Sequence, residues 1–202
     1  MKYSDIYRLY STSQPKDAIH QALREVPVDD SDEQYEDRSP LHLACQYGDT
    51  EGVKILLERD AEPNTKDANG STPIHILGRT SAGCADEDKL KEIAVMLIEQ
   101  GANIPRSAKN TTALIECIRN RHFKMAEAII DSGARVNSTD LNGENVLFGF
   151  CAASGDIRKG IIRFAKKELD ESVQYRYPEN KIEEIRSRIA RLEDDGETAY
   201  RL

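Results

Sequence analysis

Two histidines sit in near-identical surroundings, SPLHL at Ser39–Leu43 and TPIHI at Thr72–Ile76, 33 residues apart. Paired in space, His42 and His75 could ligate a metal, a task for which imidazole is much used. Imidazole is equally suited to holding structure, because its two ring nitrogens satisfy two different partners at once. The structural role is the preferred reading for both. His20 and His122 have no acidic or cysteine partner at ligand spacing.

Four cysteines, Cys45, Cys84, Cys117 and Cys151, are spread along the 202 residues with no CxxC pair, which removes the usual zinc and redox readings. Cys45, Cys117 and Cys151 fall among small apolar residues, where a buried thiol acts as a small hydrophobe. Cys84 lies in SAGCADE, where Asp86, Glu87 and Asp88 should raise its pKa and quench nucleophilicity. Cys84 is therefore expected to be structural or neutral. The run DDSDEQYED, Asp29–Asp37, lacks the central Gly and terminal Glu of a calcium-binding EF-hand loop and reads as a solvated acidic loop. No Walker loop, GxGxxG, GxSxG or HExxH occurs. The expectation is a chain without enzyme activity, cofactor or metal.

Composition narrows the class further. The formal net charge is -8, which opposes nonspecific binding to nucleic acid or an anionic membrane. No segment approaches 18 consecutive apolar residues, and the N-terminal stretch MKYSDIYRLYSTSQPKD has no signal-peptide core. Spread thiols and no such leader predict a cytoplasmic protein, with signal-independent secretion as an effector left open. With no tryptophan and four phenylalanines, the core must come from Ile, Leu, Val and Ala, which suits several small packed units.

Those units are visible as a repeat. Pro40 to Pro73 is 33 residues, Pro73 to Ala113 is 40, and Ala113 to Val146 is 33. A second register agrees, since RDAEPN from Arg59, QGANIP from Gln100 and SGARVN from Ser132 each follow an apolar stretch: VKILLE, AVMLIE and AEAIID. Each unit reads as a turn, a short helix, a tight turn, a longer helix and an extended loop. Pro73 after Thr72 suits a first helical turn, where its missing N–H costs nothing. Gly48 permits the turn between two helices. Gly101 and Gly133 stand where a helix should end in a left-handed residue, and Asp60 holds that place less well. Leu90, Ile93, Ala94, Leu97 and Ile98 make one apolar stripe, with Glu87 and Asp88 at its positive end.

The segments SPLHLACQYGDTEGVKILLERDAEPN and STPIHIL, with the recurring G-A-x-x-N exit, resemble the ankyrin-repeat family and its T-P-L-H-x-A-A-x-x-G core. The resemblance covers roughly Gln34 to Phe164. It implies an all-α solenoid of helix-turn-helix units joined by β-turn or hairpin loops, and a histidine that ties neighbouring turns together through backbone groups. The expected division is a capping repeat over 1–33, units at 34–66, 67–106 and 107–139, and a degenerate unit at 140–172. An inserted helix is expected over 173–194, and 195–202 as the start of a further unit or a C-terminal cap. Gln14–Pro27 supplies the cap's second helix, and Ile6, Leu9 and Tyr10 its first. Arg79 to Asp88 adds about seven residues to the turn of the second unit, and Ile182, Ile185, Ile189 and Leu192 share one face of the inserted helix.

In this family the loop tips and first helices carry partner recognition. Here those positions are Tyr35, Glu36, Arg38, Gln46 and Tyr47, then Lys66, Ala68, Asn69, Ser71, Arg79 and Thr80. Next come Arg106, Lys109, Thr111, Arg119 and Asn120, and last Leu141, Asn142 and Glu144. Arg38, Lys66, Arg79, Arg106, Lys109 and Arg119 form a basic strip along the middle, with acidic residues chiefly at its ends. The strip predicts a protein partner with an acidic patch or segment, anchored by Tyr35 and Tyr47. The chain itself is expected to be a monomer, acting as a noncatalytic interaction module. The alternative is a targeting or regulatory domain of a longer enzyme or secreted effector that continues past Leu202, since DDGETAYRL resembles an opening unit.

Overall fold

Ser39 and Thr72 each stand in extended conformation just before a proline at the first helical position, and each caps the helix that follows. Proline supplies a preset φ where the backbone donor would be orphaned in any case. From such starts the chain builds a row of helix pairs. The computed structural model describes residues 1–80, 86–103, 113–133, 162, 166, 169–170 and 179–194. Within them lie α1 (Tyr3–Ser11), α2 (Lys16–Glu25), a 3-10 turn (Glu33–Tyr35), α3 (Pro40–Gln46), α4 (Thr50–Glu58) and α5 (Pro73–Gly78). They continue with α6 (Glu87–Glu99), α7 (Ala113–Arg119), α8 (Phe123–Asp131) and α9 (Glu179–Asp194).

Short helices form one row, in which α1 touches α3, α3 touches α5, and α5 touches α7; α2, α4, α6 and α8 form the other row in the same order. One helix pair alone could not hide its apolar residues, so each pair is covered by the next. Leu23, Leu56, Leu77, Leu97 and Ile129 are all fully buried, and a single apolar cluster runs from Tyr3 to Ile130 and takes in Ile185 and Ile189 of α9. All-α stacking of this kind matches the sequence expectation. The turn between α5 and α6 spans 79–86, against 47–49 between α3 and α4. Residues 81–85 of that turn, with Cys84, lie outside the described residues, as do 140–161 of the degenerate unit expected over 140–172, Cys151 and 195–202. In α9, Ile182, Ile185 and Ile189 are buried, while the side chain of Leu192 lies outside the described residues.

Backbone polar groups tie the rows at intervals. The Arg59 guanidinium donates to the carbonyls of Leu23 and Val26, satisfying the open C-terminal end of α2. Asn64 repeats the device one unit on, donating to the Gly101 carbonyl and accepting from the Asn103 amide. Helix ends show the left-handed residues the sequence called for: Gly101 at φ 84° and Gly133 at φ 97°. Asp60, at φ 62°, adopts the same conformation with a side chain that crowds it. Asp60→Gly should therefore raise unfolding free energy by about 0.5–1 kcal/mol, read as a shifted urea midpoint at unchanged slope.

Candidate interaction face

His42 shows what the two histidines do. Its Nδ1 accepts from the amide and hydroxyl of Ser39 at 3.1 and 2.9 Å, closing the start of α3. Its Nε2–H donates 3.0 Å to the Ser71 carbonyl, 29 residues further on. Both nitrogens are thereby committed, and burial holds the imidazole down to about 4, neutral at physiological pH. His75 caps α5 in the same way through the Thr72 hydroxyl, at 2.9 Å. Both rings are fully buried, and among the described residues no group of three His, Cys, Asp or Glu side chains converges as metal ligands would. Cys45 and Cys117 are free thiols in the core, and burial pushes both upward, away from thiolate chemistry.

His20 and His122, which have no acidic or cysteine partner at ligand spacing in the sequence, each find a partner in another unit. His20 Nε2 meets the Asp49 carboxylate at 3.0 Å, and Tyr10 donates to the same carboxylate at 2.7 Å. Asp49 is only 3% exposed, so the helix pair α1–α2 is joined to α4 through a buried acid. His122, in the position that Asp49 holds two units earlier, is buried and donates 2.6 Å to the Thr80 carbonyl. Neither contact lies at a spacing that suggests a ligand set, because each bridges separate units.

The proposed recognition residues divide into three groups. Arg106, Lys109, Thr111, Leu141, Asn142 and Glu144 lie outside the described residues. Ser71 and Thr80 are buried, and so depart from the expected surface role. Ser71 is drawn inward because its amide donates to Asp67 and its carbonyl accepts from His42. The remainder, Tyr35, Glu36, Arg38, Gln46, Tyr47, Lys66, Ala68, Asn69, Arg79, Arg119 and Asn120, all reach solvent at least in part.

These residues are ordered rather than loose. Arg38 donates to Gln46 at 2.9 Å; the equivalent pair one unit on, Ser71 and Arg79, is joined at 2.9 Å with the donor exchanged. Gln46, Arg79 and Arg119 hold the same place at the ends of α3, α5 and α7. The charge along this ridge is less positive than the sequence suggests. Arg38 pairs with Glu36 at 2.5 Å and faces the fully buried Asp67 carboxylate at 3.6 Å, and Arg79 pairs with Glu116 at 3.1 Å. Asn120 adds a tie to the Gly78 carbonyl, while Lys66 and Arg119 stand exposed at the flanks.

Tyrosines complete the N-terminal end of the face, and only two of them were anticipated there. Tyr35 sits 4.2 Å from Tyr7 and 5.6 Å from Tyr3, centroid to centroid. Tyr47 stacks on Tyr10 at 4.8 Å with planes 12° apart, and its 37% exposure is large for an aromatic ring. The sequence carried a signal for this in the spacing Tyr3, Tyr7, Tyr10, which puts three tyrosines along one side of α1.

Residues 22–77 match the family model described as "Ankyrin repeats (many copies)". That stretch of the chain is built of ankyrin repeats. Among known proteins it is 38% identical over 69 residues to a "Transient receptor potential cation channel subfamily A member 1 homolog" of Caenorhabditis elegans, covering 34% of this chain and 6% of that protein. It is 32% identical over 123 residues to "Neurogenic locus notch homolog protein 1" of Mus musculus, covering 60% of this chain and 4% of that one. To "Ankyrin repeat protein nuc-2" of Neurospora crassa it is 29% identical over 124 residues, covering 60% and 10%. The chain thus spans a tenth or less of each relative's length. Ankyrin repeats are generally protein-interaction modules, and no helix among the described residues is long and apolar enough to cross a membrane.

Proposed function

We propose that this chain is a noncatalytic module that binds another protein along the row of short helices, on the concave side of the stack. The observation that carries the reading is the ordered polar ridge at Arg38–Gln46 and Ser71–Arg79, where side chains at equivalent positions are already held by hydrogen bonds. A surface fixed before contact loses little entropy on binding. The compensated arginines refine the partner's character. Attraction for an acidic segment falls on the exposed Lys66 more than on Arg38 and Arg79, whose charge is offset by Glu36, Asp67 and Glu116. A reducing cytoplasm fits two buried, unpaired thiols.

The relatives are far longer than this chain and match it through one short stretch, which favours a second reading: a targeting or regulatory domain within a longer enzyme or effector. Both readings require the same face. Lys66→Glu with Arg119→Glu reverses charge at two exposed positions of the face. A partner captured by the wild-type chain should associate with the double variant roughly tenfold more slowly at low salt, with the gap closing as salt rises. Unchanged association would place recognition elsewhere.

A further inference from the structure

Five of the eight tyrosines, at 3, 7, 10, 35 and 47, gather where α1 meets the end of α3 and the loop before it. Tyr3 and Tyr10 are rooted. Tyr3 is 1% exposed, and the Tyr10 hydroxyl is bound to Asp49. Tyr7, Tyr35 and Tyr47 are the outer members and keep part of their rings in solvent. Tyr7 lies close enough to Tyr47 to add to burial in raising its hydroxyl. An aromatic surface held this firmly has lost its own freedom before any ligand arrives.

The loop beside it carries the opposite of the mid-face charge. Between Val26 and Asp37 there are six carboxylates and no lysine or arginine. Asp30 is occupied by the Tyr3 amide and Asp32 by the Gln34 amide. Asp29 and Glu33 are exposed on either side of them, and Asp37 is half-buried. The two features together select a ligand. An acidic or nucleic-acid segment would be repelled, and a purely apolar helix would make no use of the carboxylates. A guanidinium uses both, stacking its plane on a tyrosine ring while its N–H fork meets a carboxylate.

We infer that the tyrosine corner formed by Tyr7, Tyr35 and Tyr47 docks an arginine-bearing segment of the partner protein, its charge answered by Asp29, Glu33 and Asp37. The inference rests on the reading of the chain as an interaction module and gives its partner a basic end. With no tryptophan present, tyrosine emission is the intrinsic signal, and five of its eight sources lie in this corner.

The test titrates the full chain with octa-arginine, octa-lysine and octa-glutamate. Octa-arginine should bind roughly fivefold tighter than octa-lysine at equal charge, because the ammonium stacks less well. Tyr47→Leu keeps the apolar bulk but removes the π-face, and should erase that preference; Tyr47→Ala should do the same. Neutralising Asp29, Glu33 and Asp37 to their amides should weaken both cationic peptides and flatten the salt dependence. Equal binding of octa-arginine and octa-lysine, or an unchanged preference in Tyr47→Leu, overturns the inference. So does a tyrosine response to octa-glutamate, or self-association that Tyr47→Leu abolishes, which would assign the corner to a second copy. Loss of a captured partner through Lys66 and Arg119, with octa-arginine binding indifferent to Tyr47, refutes the tyrosine corner alone and retains the module.

Discussion

Gly52→Ala should lower the unfolding free energy by about 2–3 kcal/mol, although helix propensity alone favours alanine by about 1 kcal/mol at such a position. Gly52 is inside α4, where glycine is otherwise a poor choice. A Cβ there would stand 2.6 Å from the Asp49 Oδ2, 2.9 Å from the Tyr10 hydroxyl and 2.9 Å from the Leu23 side chain. None of these can step aside cheaply. Asp49 is held by Tyr10 and His20, and Leu23 is fully buried at the seam with α2. The added methyl therefore pries α1 and α2 from the rest of the row. Urea denaturation followed by circular dichroism gives the size of the effect. Hydrogen exchange should show α1 and α2 losing protection before α5 and α6. A variant as stable as the wild type would mean that the seam is softer than this geometry.

The same seam marks the boundary of what the sequence discloses. Helix rows, the apolar stripe of α6 and the left-handed turn at Asp60 follow from local rules, namely apolar spacing, a proline after a cap residue, and a glycine or its substitute after a helix. Repetition strengthened each reading, because a pattern seen at Pro40 could be checked at Pro73. Contacts between units obey no such rule. Asp49 meets His20 across 29 residues, and Arg79 meets Glu116 across 37. Nothing in a single sequence distinguishes those carboxylates from solvated ones. For that reason the strip along the middle looked basic until its neighbouring unit was placed against it. The tyrosine corner was half legible, since Tyr35 and Tyr47 fell on the expected face while Tyr3 and Tyr7 belonged to a helix read only for its apolar residues.

His42 predicts how the stack responds to acid. Its folded-state value lies near 4 and its unfolded value near 6.5, with burial the main cause, so the unfolded chain binds the proton more readily. The sign follows directly. The contribution of neutral His42 is fully present above pH 6.5 and is lost as pH falls from about 6.5 towards 4. Across that window the loss approaches about 3 kcal/mol for this one residue, at 1.36 kcal/mol per pH unit. Protonation is costly because Nδ1 already accepts from Ser39 and would acquire a hydrogen aimed at that donor. His42→Asn should be less stable at pH 7, through the lost bond to Ser71, and its stability should fall less steeply between pH 6.5 and 4.5. Urea midpoints for both chains at half-unit steps of pH measure the difference in slope, which should approach one proton. Imidazole NMR shifts should keep His42 neutral down to about pH 5. Parallel stability profiles for the two chains, or an imidazolium at pH 6, would mean that His42 does not carry the acid response.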